Sequence, residues 1–367
     1  MKSKAKALYV HIPFCKNICS YCDFKKIIYN EKIVNDYFES LFFQLKQFDN
    51  NKYKSIYIGG GTPSCLQNKL LNDLLKKLCS LLDKNFKEFT IECNVEDINE
   101  EFLETIVKNK VNRLSIGVQT FNKKLICLCN RKHEKEMAIK NIKLASNYLK
   151  NISVDMIFGL PKQTIKELKQ DLEIVCSLPI KHISYYSLLV EPNTIFWLKK
   201  YENASEKTQE KMYKIIYKTL NNYGINRYEI SNFSKAKKYQ SYHNKIYWKN
   251  EHYDAVGLSA SGYKESTRYT NTFNMKKYID RNYTFFEEEV LNKEDIMFNE
   301  IMLGLRLDEG LDLIKFNKKY NVDFFDKYKD AILLNIKSNT LIMKNNKIKT
   351  TFKGSLLLNQ VLEKFLD

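Results

Sequence analysis

Tyr9-Val10-His11-Ile12-Pro13-Phe14-Cys15-Lys16-Asn17-Ile18-Cys19-Ser20-Tyr21-Cys22 joins a short apolar run to three cysteines in the spacing C-x3-C-x2-C. The run begins at Ala7, reads as a β-strand and is stopped by Pro13, so the cysteines fall in the loop that leaves it. Three thiolates at this spacing can form one metal site. Zinc normally closes its tetrahedron with a fourth Cys or His, and the nearby His11 lies within the strand. A cubane cluster held by three cysteines instead leaves one iron open to an outside ligand. The other six cysteines, Cys65, Cys79, Cys93, Cys127, Cys129 and Cys176, are scattered through apolar periodic segments, where a buried free thiol is usual. Nine cysteines, an odd number, in a chain showing no export signal argue against a disulfide framework.

Working outward, further β-rich runs recur at Ser55 to Ile58, Phe89 to Cys93, Arg113 to Val118, Ile152 to Phe158 and His182 to Val190. Between them, Ile33 to Phe48, Leu66 to Leu82, Glu101 to Lys108, Glu134 to Leu149, Ile165 to Leu178 and Glu206 to Tyr223 carry apolar residues at three- and four-residue steps. Six βα units in series imply parallel strands with right-handed crossovers, as a barrel or as an open doubly wound sheet. Gly59-Gly60-Gly61, Glu92, Gln119 and Asp155 fall at or near C-terminal strand ends, where both architectures place active sites. The aromatic, polar stretch 226–290 reads as a connecting segment. In 291–367, helices at Ile296 to Leu305 and Leu313 to Tyr320, a hairpin at Thr340 to Lys349 and a closing helix at Gly354 to Leu366 suggest a small helical, winged-helix-like domain.

The chain has 367 residues, 44% hydrophobic and 28% charged, enough for a barrel-sized domain of 1–225 and a smaller one. The excess of 60 Lys plus Arg over 43 Asp plus Glu gives +17 but is spread through a Lys-rich composition with no single basic tract, so no nucleic-acid partner is expected. The basic onset Met1 to Lys6 resembles the start of a signal peptide, but His11 and Pro13 cut the apolar run short. No stretch approaches a transmembrane span, and the cytoplasm is the expected compartment.

The cysteine spacing and the segment before it resemble the radical S-adenosylmethionine superfamily, whose open iron chelates the amino and carboxylate groups of the cofactor. Gly59-Gly60-Gly61-Thr62-Pro63 matches the superfamily's glycine-rich segment. Asn112-Arg113-Leu114-Ser115-Ile116-Gly117-Val118-Gln119-Thr120-Phe121-Asn122 and Asp155-Met156-Ile157-Phe158-Gly159-Leu160-Pro161 resemble the oxygen-independent coproporphyrinogen oxidase-like branch. That resemblance extends through Met302 to Gly310. It implies a partial (β/α)6 barrel, a [4Fe–4S] cluster on Cys15, Cys19 and Cys22, and S-adenosylmethionine surrounded by Tyr9, Tyr21, Gly60, Gly61, Thr62, Glu92, Gln119, Arg131 and Asp155.

True oxidases of the branch carry a further cysteine two residues beyond the third ligand, where this chain has Phe24. Cys22-Asp23-Phe24 is similar instead to the branch's haem chaperone group. His243-Asn244-Lys245-Ile246-Tyr247-Trp248 resembles that group's H-N-x-x-Y-W motif, which implies haem bound by His243 with Tyr247 and Trp248 packed on the porphyrin. A histidine that the family usually has in the segment matching Val256 to Gly262 is missing here. The implied role is haem binding and delivery to an acceptor protein, with an electron donor such as a flavodoxin or ferredoxin if the cofactor is cleaved. Coproporphyrinogen III oxidation and radical modification of RNA are the alternatives.

Overall fold

The computed structural model describes residues 4–366, so Met1 to Ser3 of the basic onset lie outside it. Strand β1 (Ala7–Ile12) is followed by two two-residue strands, β2 (Phe14–Cys15) and β3 (Ile27–Ile28), which pair in parallel and enclose the cysteine loop. Then come α1 (Glu31–Lys46), β4 (Ser55–Gly60), α2 (Asn68–Ser80), β5 (Glu88–Asn94), α3 (Glu100–Lys108) and β6 (Arg113–Gln119). The series continues with α4 (Lys123–Leu128), α5 (Lys135–Tyr148), β7 (Ile152–Phe158), α6 (Ile165–Ser177), β8 (His182–Ser187), α7 (Ile195–Leu198) and α8 (Glu206–Asn222). β1, β4, β5, β6, β7 and β8 lie side by side in that order, all parallel, as six βα units require.

Each of these strands alternates two chemistries. Ile56, Ile58, Phe89, Ile91, Leu114, Ile116, Ile152 and Val154 bury one face against the helices, with Leu74, Leu103, Ile106 and Ile142 among their neighbours. The other face is polar: Ser55 and Tyr57, then Glu88, Thr90 and Glu92, then Arg113 and Ser115, then Ser153 and Asp155, then His182 and Ser184. These side chains satisfy one another, as in Thr90 to Glu88 (2.9 Å), Ser115 to Asp155 (3.0 Å) and Ser153 to His182 (2.8 Å). The result is a partial barrel with a polar interior, and buried polar groups are tolerated there because they have partners.

The stretch 226–290, expected as a connection, adds strands to the same sheet. β9 (Asn226–Arg227) and β10 (Asn232–Ser234) continue it antiparallel beyond β8. After α9 (Tyr242–Trp248), β11 (Tyr253–Val256) lies parallel to β1 on its free side, and β12 (Ser261–Lys264), β13 (Thr267–Asn271) and β14 (Phe285–Val290) extend outward antiparallel. The sheet thus has 12 strands in linear order, β14 and β9 at its edges. Gly257 makes the β11 turn feasible: its φ is +103°, and a side chain there would meet the His11 carbonyl at 2.6 Å.

The C-terminal unit has its own core around Met297, Ile301, Phe316, Phe324, Ile332 and Ile348. It contains helices Lys293–Gly304 and Leu313–Tyr320 and a three-stranded sheet in which Leu341–Lys344 and Lys347–Thr350 form the expected hairpin. The closing helix is two pieces, Phe352–Leu356 and Leu358–Glu363, because Leu357 (φ −112°, ψ 30°) leaves helical geometry. No helix among the described residues is long and apolar enough to cross a membrane.

Candidate cluster and cofactor site

A cavity of about 370 Å³ opens at the C-terminal ends of the parallel strands. Cys15, Cys19 and Cys22 line it. Their loop is fixed by backbone bonds, Ile27 N–H to the Pro13 carbonyl (2.7 Å) and Tyr29 N–H to the Cys15 carbonyl (2.9 Å). Thr62 Oγ1 donates to Cys15 Sγ (3.4 Å) and Arg131 Nη1 to Cys19 Sγ (3.6 Å). Burial pushes the Cys15 thiol up and that of Cys22 to about 11. Among the described residues no three His, Cys, Asp or Glu side chains converge tightly enough for a single ion. Three cysteines on one loop at the wall of a cavity, with donors already aimed at two of the sulfurs, suit a cubane that takes three protein thiolates.

Gly60 and Gly61 form a second wall. Gly60 has φ +112°, and a Cβ on Gly61 would lie 2.7 Å from the Phe14 carbonyl oxygen, so only glycine lets this loop pass under the cysteines. Glu92 accepts from Tyr57 Oη (2.7 Å) and from Gly60 N–H (3.2 Å). Its burial, reinforced by the charge of Asp155, pushes its carboxyl up to about 7 despite those bonds. Asp155 is held by Ser115 (3.0 Å) and Ser153 (3.4 Å), and burial raises it too. Gln119 sits at a register shift of β6 with φ +70°, a conformation that is costly off glycine and re-aims its side chain into the cavity. Arg131 also donates to Asn94 (2.9 Å) and to the Gly117 carbonyl, and its Nε is buried without a partner. Two carboxylates, an amide, a guanidinium and a side-chain-free backbone suit a zwitterionic ligand.

Tyr21, Gly60, Gly61, Thr62, Glu92, Gln119, Arg131 and Asp155 therefore share this cavity with the three cysteines. Tyr9 stands behind it, bonded to His11 Nδ1 (3.0 Å) with its ring 6.3 Å from that of Tyr57. His243, Tyr247 and Trp248 of α9 do not line it. His243 is buried at the opposite end of the strands, with Nδ1 bonded to Ser55 Oγ (2.9 Å) and Nε2 to Tyr247 Oη (2.7 Å). Tyr57, a cavity residue, packs on the imidazole at 5.2 Å and stands between it and the opening. Burial, helped by Arg113, drops the His243 pKa to about 3. Trp248 faces the C-terminal unit, its ring 5.4 Å beneath the Arg306 guanidinium. Ser55 and Tyr247 thus hold both imidazole nitrogens.

The radical SAM superfamily signature matches residues 9–175, and the HemN C-terminal domain signature matches 291–357. The chain is 37% identical to the heme chaperone HemW of Lactococcus lactis over 374 residues, covering 100% of this chain and 98% of that protein. The chain belongs to the HemW family. A second HemW, from Bacillus subtilis, is 34% identical over 98% of this chain and 99% of its own length. The crystal structure of coproporphyrinogen III oxidase (HemN) from Escherichia coli superposes with a TM-score of 0.85 at 20% identity, over 99% of this chain and 90% of that one, and establishes the fold. As a radical SAM protein of the HemW family, the chain has a superfamily that carries a [4Fe–4S] cluster and S-adenosylmethionine.

The cavity of this HemW-family chain also includes Tyr57, Asn94, Arg113, Ser115, Ser184, Tyr186 and Asn244, none singled out from sequence as ligands. Most follow from the alternation of polar residues along the strands, a signal that marks which face is inside. A pH prediction follows from the buried acids. Glu92 and Glu229 are both raised from 4.5 to about 7, mainly by burial. Their contribution to stability is fully present below about 4.5 and lost as pH rises through 7, at most roughly 3 kcal/mol each, and less for Glu92, which faces the cavity. Cofactor-free protein should thus unfold at lower denaturant at pH 8 than at pH 5. The double variant Glu92→Gln, Glu229→Gln should flatten that difference, and an unchanged pH profile would refute the assignment.

Proposed function

We propose that this chain binds haem and hands it to a haem-requiring acceptor protein, using a [4Fe–4S] cluster on Cys15, Cys19 and Cys22 and S-adenosylmethionine in the adjoining cavity. The observation that carries this reading over porphyrinogen oxidation is Phe24. It stands at the cavity mouth, exposed, where the oxidases have an additional cysteine. Held by these residues, S-adenosylmethionine would supply, on one-electron reduction by a donor such as a flavodoxin or ferredoxin, a 5′-deoxyadenosyl radical, with methionine as the leaving group. The residues around it bind and orient. Glu92 and Asp155 offer carboxylates to a cationic group, the Arg131 guanidinium beside the cysteines offers positive charge to an anionic one, and Gln119 offers its amide.

The test is direct. Anaerobically reconstituted protein should bind haem stoichiometrically and transfer it to an apo-haem protein, and should leave coproporphyrinogen III unchanged when reduced with S-adenosylmethionine present. Decarboxylation of that substrate with consumption of the cofactor would overturn the reading.

A further inference from the structure

The cluster loop has a second face. Cys19 and Tyr21 line the cavity, whereas Ser20 between them lines a separate open depression of about 530 Å³ that has no lining residue in common with it among the described residues. The Ser20 backbone is pinned from both sides: its N–H donates to the Cys129 carbonyl (2.9 Å), and its carbonyl accepts from Phe196 N–H (2.9 Å). One peptide unit therefore leads from a cluster ligand to the outer surface of the barrel.

Three lysines line this depression, Lys124 from α4, Lys162 from the turn after β7 and Lys199 from the end of α7, and among the described residues no carboxylate does. All three are exposed, and among the described residues none of their ammonium groups enters an ion pair. Lys16, on the cavity side of the same loop, differs in being spoken for by Asp97 at 2.8 Å. Leu198, 65% exposed, stands three residues from Ile195 of the lining, so the lysines have an apolar neighbour. Lys162 carries a further mark. Its φ is +65°, in the left-handed region that glycine adopts freely and lysine only with strain. A position that disfavours any side chain thus presents a charge beside the cluster loop.

We propose that this depression is the docking site of an acidic one-electron carrier protein, which delivers its electron to the cluster through the Ser20 side of the loop. The inference rests on the reading above in which S-adenosylmethionine is reduced, and it names the surface where the electron enters. The cavity side of the loop is given over to the cofactor, so a carrier of protein size has access from the outer face. Complementary charge speeds the encounter of an acidic partner with a lysine-lined surface without fixing it there, as repeated single-electron delivery requires. In the step the carrier is oxidised by one electron, the cluster is reduced by one, and no bond forms or breaks.

Full-length, cluster-reconstituted protein would be titrated with an acidic flavodoxin, following flavin fluorescence. The triple variant Lys124→Glu, Lys162→Glu, Lys199→Glu should bind about tenfold more weakly or worse. Lys76→Glu, Lys329→Glu, Lys337→Glu, equal in charge and exposed on α2 and the C-terminal unit, should stay within about twofold of the parent. Iron content and melting should match the parent in both. Lys162→Gly should weaken binding without lowering the melting temperature, because glycine fits the left-handed backbone. Cys127, the exposed one of the nine cysteines, lines the depression and should be shielded from alkylation by bound flavodoxin. Dithionite needs no docking site, so it should give the electron paramagnetic resonance signal of the reduced cluster in parent and lysine variant alike. Reduced flavodoxin should give it at least about tenfold more slowly in the lysine variant. The proposal is overturned if the parent binds no flavodoxin, if the lysine variant binds as the parent does, if the remote variant weakens as much, or if Cys127 stays open to alkylation. A parent that shows no reduced cluster even with dithionite would defeat the cluster reading itself, a result distinct from docking at another place.

Discussion

Cys19→Ala is expected to take the reconstituted protein from about four irons per chain to less than about one. The argument is from ligand count. A cubane anchored by three thiolates already leaves one iron to an exchangeable ligand, and removing a second anchor opens two corners to water. The Arg131 guanidinium that now donates to Cys19 Sγ would face an apolar methyl, adding a buried unpaired cation to the loss. The fold should survive, because the loop is held by the Ile27–Pro13 and Tyr29–Cys15 backbone bonds and by the paired β2 and β3 strands, none of which involves the Cys19 side chain. Iron and acid-labile sulfide assays beside a circular dichroism melt decide the matter. Unchanged iron, or zinc in its place, would show that the cysteines do something else.

The second large effect is expected at Arg227, which joins the barrel to the C-terminal unit. Its Nη2 and Nε grip the Asp308 carboxylate at 2.7 and 3.1 Å, Nη1 reaches Tyr213 (3.1 Å) and Ser355 (2.8 Å), and the guanidinium lies over Tyr217 and Phe352 at 5.4 and 5.7 Å. Only 6% of the side chain is exposed. Arg227→Ala would strip the part-exposed Asp308 carboxylate of its guanidinium beside the buried Glu229 and empty the space between Tyr217 and Phe352, a cost of about 1–3 kcal/mol. We expect a lower melting temperature and protease cleavage beyond about residue 290 ahead of the barrel. Arg227→Lys should recover little, since an ammonium cannot grip both carboxylate oxygens and stack between two rings. Equal protection of both units in Arg227→Ala would show that the junction is held elsewhere.

Strand and helix periodicity made the six βα units legible, with β1 and β7 bounded as their residues suggest and His182 to Val190 overrunning β8 by three residues, of which Leu188 and Leu189 line the cavity. Strand β11 was not legible. Tyr253 to Val256 is four residues long, has no helix after it, and pairs with β1 from the far end of the chain, so its stability comes from a non-local ladder that no local pattern announces. The cysteine spacing located the cluster loop at once, whereas the fate of His243 depends on Ser55 and Tyr57, neighbours only in the folded chain. Arg131 entered the site for a similar reason: α4 ends at Leu128, and the turn through Asn130 (φ +54°) swings the following residue back under the cysteines.

Helix α9 separates two compartments while belonging to both. Asn244 looks into the cavity, whereas one turn on, Trp248 lies under Arg306 and Lys249 pairs with Glu309 (3.0 Å). A rigid seven-residue helix cannot tilt at one end without moving the other. A ligand that shifted Asn244 would therefore also move the seat of the C-terminal unit, and such a coupling runs equally in both directions.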